Sequence, residues 1–201
     1  QDAPFTEYLT YAFTDRLPSS AVGYLQWENR RIPFTIDVPN VNAVYIAQIR
    51  QELESWPGFN YQNWQQAAQF AVANKIALDE ALVWANKAIY EPFRNAAQGR
   101  QDFSTFATKA SVLQALGRDR DADTTMDRAM HVEGASVTAI YSYGMTTLNA
   151  GRKDRAIEVF KLAQKLFPND KFWPYLGLAR AYTALGDTKS AIASWEMVLQ
   201  N

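Results

Sequence analysis

The chain has 201 residues, of which 48% are hydrophobic and 20% are charged, and its formal net charge is −1. This composition is typical of a globular protein with a core, and the length allows one large domain or two small ones. Basic residues alternate with acidic ones, so we expect no nucleic-acid partner. The absence of cysteine excludes thiol catalysis, disulfide bonds and cysteine-ligated metal sites.

The sequence contains no apolar run of the roughly 18 residues that a membrane-spanning helix needs, so no membrane span is predicted. The chain starts at Gln1, without an initiator methionine or the charged and apolar segments of a signal peptide. We therefore expect Gln1 to follow either a removed signal peptide or a cut in a longer chain.

Residues 1–39 show the period-two alternation of half-buried strands. Leu9, Tyr11 and Phe13 mark the first strand, and Leu25 and Trp27 mark the second. A polar turn at 28–31 and a third alternating run over 32–38 complete a predicted three-stranded antiparallel meander. Three strands need cover, so we expect this meander to pack on the helices or to be the remnant of a larger β domain.

Residues 40–201 are predicted to form a helical domain. It begins with a linker helix over 41–56, whose apolar face carries Ile46, Ile49, Leu53 and Trp56 and which Pro57-Gly58 ends. An extra segment around 91–100 separates the second and third of the following helices, and Asp119 and either Asp187 or Thr188 are expected to cap helix starts. The eight further predicted helices are 61–74, 78–91, 102–116, 119–132, 136–150, 153–167, 171–185 and 188–200.

A repeating unit organises these helices. Gly117, Gly151 and Gly186 are 34 and 35 residues apart, and each is followed five residues later by an alanine. Such a period indicates stacked helix pairs that bury their apolar faces on one another. The predicted pairs are 61–91, 103–135, 137–169 and 172–201. The predicted fold class is therefore mainly α, an α-solenoid of helix hairpins with a small N-terminal antiparallel β meander, α+β overall.

The repeated units resemble tetratricopeptide repeats over about residues 61–200. The best-fitting unit carries Gly144, Gly151, Ala156, Phe160, Ala163 and Pro168 at the positions where the family has small, aromatic and proline residues. Small residues let neighbouring helices approach, and the bulky residue fills the gap between them. The resemblance implies a non-catalytic scaffold that binds a protein or peptide partner.

The same resemblance implies a concave groove along the first helix of each pair. The groove residues that it carries onto this sequence are Ser111, Gln114, Tyr141, Met145, Asn149, Trp173 and Arg180. Such a groove is neutral and aromatic-lined, with one cation, which suits an extended peptide or a partner helix. In the alternative interpretation, Tyr141, Met145 and Trp173 pack against the meander or a neighbouring helix.

No motif of this sequence predicts an active site, a metal site or a cofactor, and we expect the protein not to be an enzyme. Asp119, Asp121 and Asp123 have the spacing of a calcium loop, but Thr124 and Met130 replace the glycine and glutamate that the loop requires. The single histidine, His131, lies near a predicted helix C-terminus, where an exposed histidine is common.

The whole chain also resembles the C-terminal half of a bacterial family of unknown function, whose members look exported and carry an N-terminal β domain. The stretch Tyr24–Phe34, followed by helices, carries this resemblance. It implies a periplasmic or otherwise exported location. It also implies an alternative function, in which the chain is the structural half of a larger protein whose enzyme or ligand-binding activity lies in a missing β domain.

The predicted last helix carries Trp195, Met197, Val198 and Leu199, although repeat arrays usually end in a helix with a polar outer face. We therefore expect these residues to contact another chain, either as a homodimer through this helix or as a contact with a partner.

Overall fold

A computed structural model describes residues 1–91, 99–132 and 134–200. Contacts divide the chain into two compact units, Gln1–Gly99 and Arg100–Asn201. In the described residues, the first unit has a β hairpin and three α-helices, and the second has six α-helices. The domain division predicted after residue 39 stays a prediction. Most of the predicted extra segment, residues 92–98, lies outside the described residues.

The N-terminal sheet has two strands, β1 (Asp2–Thr14) and β2 (Ser20–Asp37), paired antiparallel. Thr10 lies opposite Gln26 and Phe13 lies opposite Gly23. The prediction of three strands is therefore wrong in its count. The polar stretch at 28–31 does not divide β2 into two strands, although the backbone leaves the extended region at Glu28.

Strand β2 nevertheless folds back on itself at that polar stretch. A straight strand of 18 residues would be about 60 Å long, yet the Val38 N–H donates to the Ser19 carbonyl at 2.8 Å. A Cβ on Gly23 would lie 2.6 Å from Phe34 Cζ, so the two halves of β2 approach closely. These pairs are symmetric about the peptide after Glu28, whose φ of 50° places the fold-back at the predicted turn.

The hairpin exposes most of its large apolar side chains. Tyr8 is 75% exposed and Tyr11 is 68% exposed. The expected burial of Leu9, Tyr11 and Phe13 is therefore wrong, as it is for Trp27. Alternation defines which side chains share a face of a strand, but it does not supply a second layer to cover that face. The exposed set is Phe5, Tyr8, Leu9, Tyr11, Phe13, Leu17, Trp27, Ile32, Phe34 and Ile36.

Three helices complete the first unit: α1 (Val41–Leu53), α2 (Tyr61–Asn74) and α3 (Leu78–Tyr90). Ile46 and Leu53 are buried as expected, but Trp56 is 77% exposed. The prediction for Trp56 is wrong because α1 ends at Leu53 and the chain enters a 3-10 turn over Trp56–Phe59, which takes Trp56 off the helix face.

The second unit contains three helix hairpins whose helices match the predicted bounds to within three residues at every end. They are α4 (Phe103–Ala115), α5 (Asp119–Ala129), α6 (Val137–Asn149), α7 (Lys153–Leu166), α8 (Trp173–Leu185) and α9 (Thr188–Leu199). Among the described residues, no helix combines the length and the hydropathy needed to cross a membrane.

Small residues lie at the helix contacts of this unit, as the repeat pattern predicts. Ala122, Ala156 and Ala191 are all buried. The Phe160 ring packs directly on two glycines: a Cβ on Gly144 would lie 2.6 Å from Phe160 Cζ, and one on Gly177 would lie 2.6 Å from Phe160 Cγ. Helices α6 and α8 therefore approach the ring from two sides, and each contact requires the absence of a side chain.

The helix caps follow the prediction at one position and depart from it at another. The Asp187 side chain accepts a hydrogen bond from the Ser190 N–H at 3.1 Å and caps α9. Asp119 does not cap α5, because Arg118 occupies the N-cap position and Asp119 lies in the first turn. In the first turn, the negative charge of Asp119 interacts favourably with the positive end of the helix dipole, without a capping hydrogen bond.

We expect Gly177→Ala to lower the free energy of unfolding by about 2 kcal/mol, since the added Cβ overlaps a fully buried ring. Denaturant unfolding measures the change. Phe160→Leu in the Gly177→Ala background is the control and should show a favourable coupling energy, because the smaller side chain leaves room for the Cβ. A stabilised Gly177→Ala protein, the result that helix propensity alone predicts, would contradict this packing.

The cap of α9 predicts a pH dependence. Hydrogen bonding from the Ser190 side chain and backbone lowers the pKa of Asp187 in the folded protein. The charged cap therefore stabilises the fold above the ordinary aspartate pKa, and this contribution is lost as pH falls through the lowered value. The thermal midpoint of the wild type should exceed that of Asp187→Asn at neutral pH and converge with it in acid. A constant difference at every pH would refute a charged cap.

Candidate partner-binding groove

Two of the predicted groove residues, Ser111 and Gln114 on α4, line an open cleft of about 400 Å³ between α4, α5 and α6. The two first helices of neighbouring hairpins form its sides, and α5 lies beneath them. Among the described residues, its lining consists of Phe103, Ala107, Ala110, Ser111, Gln114, Met126, Ala139, Ser142, Tyr143 and Thr146. The cleft has the size of a ligand pocket.

The cleft combines an apolar floor with a neutral polar rim. Ala110 and Met126 are buried in the floor, whereas Ser111 and Thr146 are exposed at the rim. The Ser111 hydroxyl donates to the Ala107 carbonyl and the Thr146 hydroxyl donates to the Ser142 carbonyl, each at 3.0 Å. Because each hydroxyl donates its hydrogen to a carbonyl of its own helix, it can act toward the cleft only as a hydrogen-bond acceptor.

The aromatic part of the predicted groove is half-buried. The Tyr141 ring centroid lies 4.9 Å from that of Trp173 and 5.9 Å from that of Phe160. Tyr141 and Met145 pack against the core cluster that contains Ile157 and Phe160. The structure therefore shows the packing against a neighbouring helix that the alternative interpretation expects, and only part of each side chain faces solvent.

The last two predicted groove residues, Asn149 on α6 and Arg180 on α8, are exposed. The predicted set thus divides into a polar pair in the cleft, a half-buried aromatic group and two exposed polar residues. Their role in binding stays a prediction.

The sequence analysis missed Ser142, Tyr143 and Thr146, which form the α6 side of the cleft. A signal for two of them was present. Ser142 and Thr146 are four residues apart, the spacing of neighbours on one helix face, and each directly follows a residue that the family resemblance singled out, Tyr141 or Met145.

Tyr143 is held in place by an ion-pair network that joins α5 to α7. Its hydroxyl donates to Asp123 Oδ1 at 3.3 Å. Asp123 also accepts a hydrogen bond from Arg152, and the Arg155 Nη2 donates to Asp127 Oδ1 at 2.6 Å. The Arg155 Nε is buried 3.5 Å from Asp123 Oδ1, within ion-pair distance but without a hydrogen bond.

The pKa values in this network follow from burial and pairing. Burial raises the pKa of Tyr143, and the neighbouring charge of Asp123 raises it further. The hydrogen bond to Asp123 raises the pKa of Arg152. Burial by itself lowers the pKa of Arg155, but the hydrogen bond and the charge of Asp127 outweigh it, so the net shift is upward. All three side chains therefore keep their neutral-pH protonation states.

Two of the three acids with the calcium-like spacing form ion pairs with arginines. Asp121 lies 2.6 Å from the Arg118 Nη2, and Asp123 pairs with Arg152. In the described part of the chain, no three metal-ligating side chains form a group that could hold an ion. His131 is exposed, and its Nδ1 lies 2.7 Å from the Asp127 carbonyl.

We expect Asp123→Asn to lower the free energy of unfolding by about 2 kcal/mol, because Arg152 and Arg155 lose a partly buried counter-charge. Denaturant unfolding measures it. Asp121→Asn is the matched control: its partner Arg118 is half-exposed, so this change should cost less than about 1 kcal/mol. Equal losses in the two variants would mean that the buried network adds nothing beyond a surface pair.

Comparisons with known proteins identify the repeats. The tetratricopeptide repeat family matches residues 137–170 and residues 175–201. These matches coincide with the α6–α7 and α8–α9 hairpins.

Solved structures similar to this chain include two crystal structures of MamA, each 14% identical with a TM-score of 0.48. They cover 77% and 82% of this chain and 79% and 94% of their own. A third is YrrB, described as a TPR protein with an unusual peptide-binding site, at 19% identity, 80% and 78% coverage and a TM-score of 0.46. No curated protein matches the chain. The α6–α7 and α8–α9 hairpins are therefore tetratricopeptide repeats.

Proposed function

We propose that this protein is a non-catalytic interaction scaffold that binds an extended peptide or partner segment along α4, α6 and α8. Its tetratricopeptide repeats support a role in protein–protein interaction. The observation that carries the finer proposal is the cleft between α4, α5 and α6, where an apolar floor is open to solvent inside a neutral rim.

The chemistry of the cleft defines the ligand. Acceptor lone pairs at Ser111 and Thr146 favour a segment that presents N–H donors, and the floor around Met126 favours an apolar side chain. Arg180 is the single cation of the predicted groove, which is too few to clamp a carboxylate. The proposed ligand is therefore an uncharged internal segment of a partner and not an acidic chain terminus.

A second candidate function rests on the hairpin. The aromatic and aliphatic side chains that β1 and β2 expose favour the alternative in which this chain supports a β domain that carries an enzyme or ligand-binding activity. Large exposed apolar patches commonly mark contacts with other protein surface.

Two further expectations also stay proposals. The exported location rests on the family resemblance of residues 24–34. Contact of the last helix with another chain, either a second copy or a different partner, rests on the apolar residues of that helix. Light scattering over a range of protein concentrations tests the homodimer.

Selection from a library of random displayed peptides, long enough to lie across α4, α6 and α8, tests the groove. We expect the selected peptides to be rich in apolar residues and poor in Asp and Glu. Ser111→Trp should weaken their binding about tenfold or more, because the indole fills the cleft and removes a central contact.

Thr124→Trp is the matched control. Thr124 is also exposed and also donates to the carbonyl four residues before it, at 3.0 Å, but it lies on α5 outside the cleft lining. Equal affinity of both tryptophan variants for the selected peptides would refute the cleft as the binding site, as would a set of peptides rich in acidic residues.

A further inference from the structure

An apolar groove lies between α8 and α9 in the second unit. It encloses about 240 Å³, and two large side chains face it, Ile192 at 53% exposure and Trp195 at 38%. The lining residues are Thr183, Gly186, Thr188, Ala191, Ile192 and Trp195. We call this set the end groove.

Each residue of the end groove has an equivalent in the preceding hairpin. The offset is 35 residues throughout, and the equivalents are Leu148, Gly151, Lys153, Ala156, Ile157 and Phe160. In that hairpin the side chains are covered: Ile157, the equivalent of Ile192, is 7% exposed, and Phe160, the equivalent of Trp195, is fully buried. The end groove is therefore a second copy of a surface that is already occupied once within the same chain.

Helix α8 occupies the first copy of this surface. Leu178 and Ala181 belong to the same core cluster as Ile157 and Phe160, and Tyr182 packs against that cluster. The Phe160 ring takes the place of a side chain on Gly177.

A polar contact completes this internal docking. The Lys153 Nζ donates to the Ala184 carbonyl at 2.6 Å, near the C-terminus of α8. The helix that occupies the internal copy therefore has small residues four positions apart, Gly177 and Ala181. Each is followed directly by a large apolar or aromatic residue, Leu178 or Tyr182.

We infer that the end groove binds an α-helix of a partner protein that carries this small–apolar–x–x–small–apolar pattern. The inference extends the packing of α7 on α8 by one repeat and does not depend on the peptide groove of α4 and α6. The shape of the end groove determines which helix can bind. The partner helix must place a glycine or alanine against the Trp195 ring, as α8 places Gly177 against the Phe160 ring.

The end groove differs from its internal copy at two lining positions, and a second copy of α9 does not carry the small residues that it requires. Thr183 and Thr188 replace Leu148 and Lys153, so the end groove offers hydroxyls where the internal copy offers an apolar contact and a cation. Helix α9 presents Ile192, Trp195 and Leu199 outward, so two copies facing each other would oppose bulky side chains without the small residues that allow close approach.

A peptide with the sequence of α8, residues 172–185, is the probe. A covalent staple between positions 180 and 184, both exposed in the chain, keeps it helical, since a free helix of this length is marginal in water. We expect a fluorescent form of this peptide to bind the full chain saturably in an anisotropy titration. Ile192→Asp should weaken binding about tenfold or more by placing a charge in an apolar contact.

Ala193→Asp is the matched control, because it adds the same charge one residue later. Its equivalent in the preceding hairpin is Glu158, an exposed acid, so it should leave binding and the thermal midpoint unchanged. A second experiment changes only the peptide. The wild-type protein should bind the peptide with Gly177→Leu about tenfold more weakly. This tests the requirement for a small residue without changing the folded protein.

Equal affinity for the two peptides, or equal binding by Ile192→Asp and Ala193→Asp, would overturn the inference. Absence of peptide binding would overturn it too, as would a wild-type dimer that Ile192→Asp converts to a monomer, because the end groove would then be taken by a second copy.

Discussion

The packing of one aromatic ring on two glycines sets the geometry of the second unit. Phe160 on α7 is fully buried, and its ring fills the space where side chains on Gly144 of α6 and Gly177 of α8 would lie. Helices can approach this closely only where one of them lacks a side chain, and the ring then supplies the dispersion contacts of a filled interior. The spacing of α6 and α8, and with it the surface between them, follows from this contact.

Charge pairing adds a second constraint, which acts on the neighbouring hairpins. The network of Asp123, Asp127, Arg152 and Arg155 joins α5 to α7 and orients Tyr143. A partly buried ion pair contributes little net stability by itself, but removing one partner leaves a charge uncompensated. The network therefore makes the position of the cleft wall sensitive to single changes far from the rim.

The exposed surfaces described above differ in the kind of partner segment that they can bind. The cleft of α4, α5 and α6 is neutral and suits an extended segment, whereas the end groove repeats a surface that α8 covers internally and suits a helix. In a solenoid each repeat buries the face of the repeat before it, so equivalent surfaces recur along the array. The hairpin adds an exposed apolar surface of its own.

Local pattern determined the helices: helical periodicity, with the glycine–alanine repeat in the last three pairs, predicted all eight helices of the pairs to within three residues. Helix ends depend on caps and positive-φ glycines, which are local in sequence. Strand alternation likewise located the extended segments of residues 1–39, and Ser111 and Gln114 lie on the face of α4 that lines the cleft. Tertiary structure decided what covers each face. Tyr141 and Met145 are half-buried against α7, Leu9 and Tyr11 are exposed, and Tyr143 becomes a cleft wall through Asp123. Periodicity gives the direction of a side chain, but burial depends on which distant element lies opposite, and that is a property of the assembled fold.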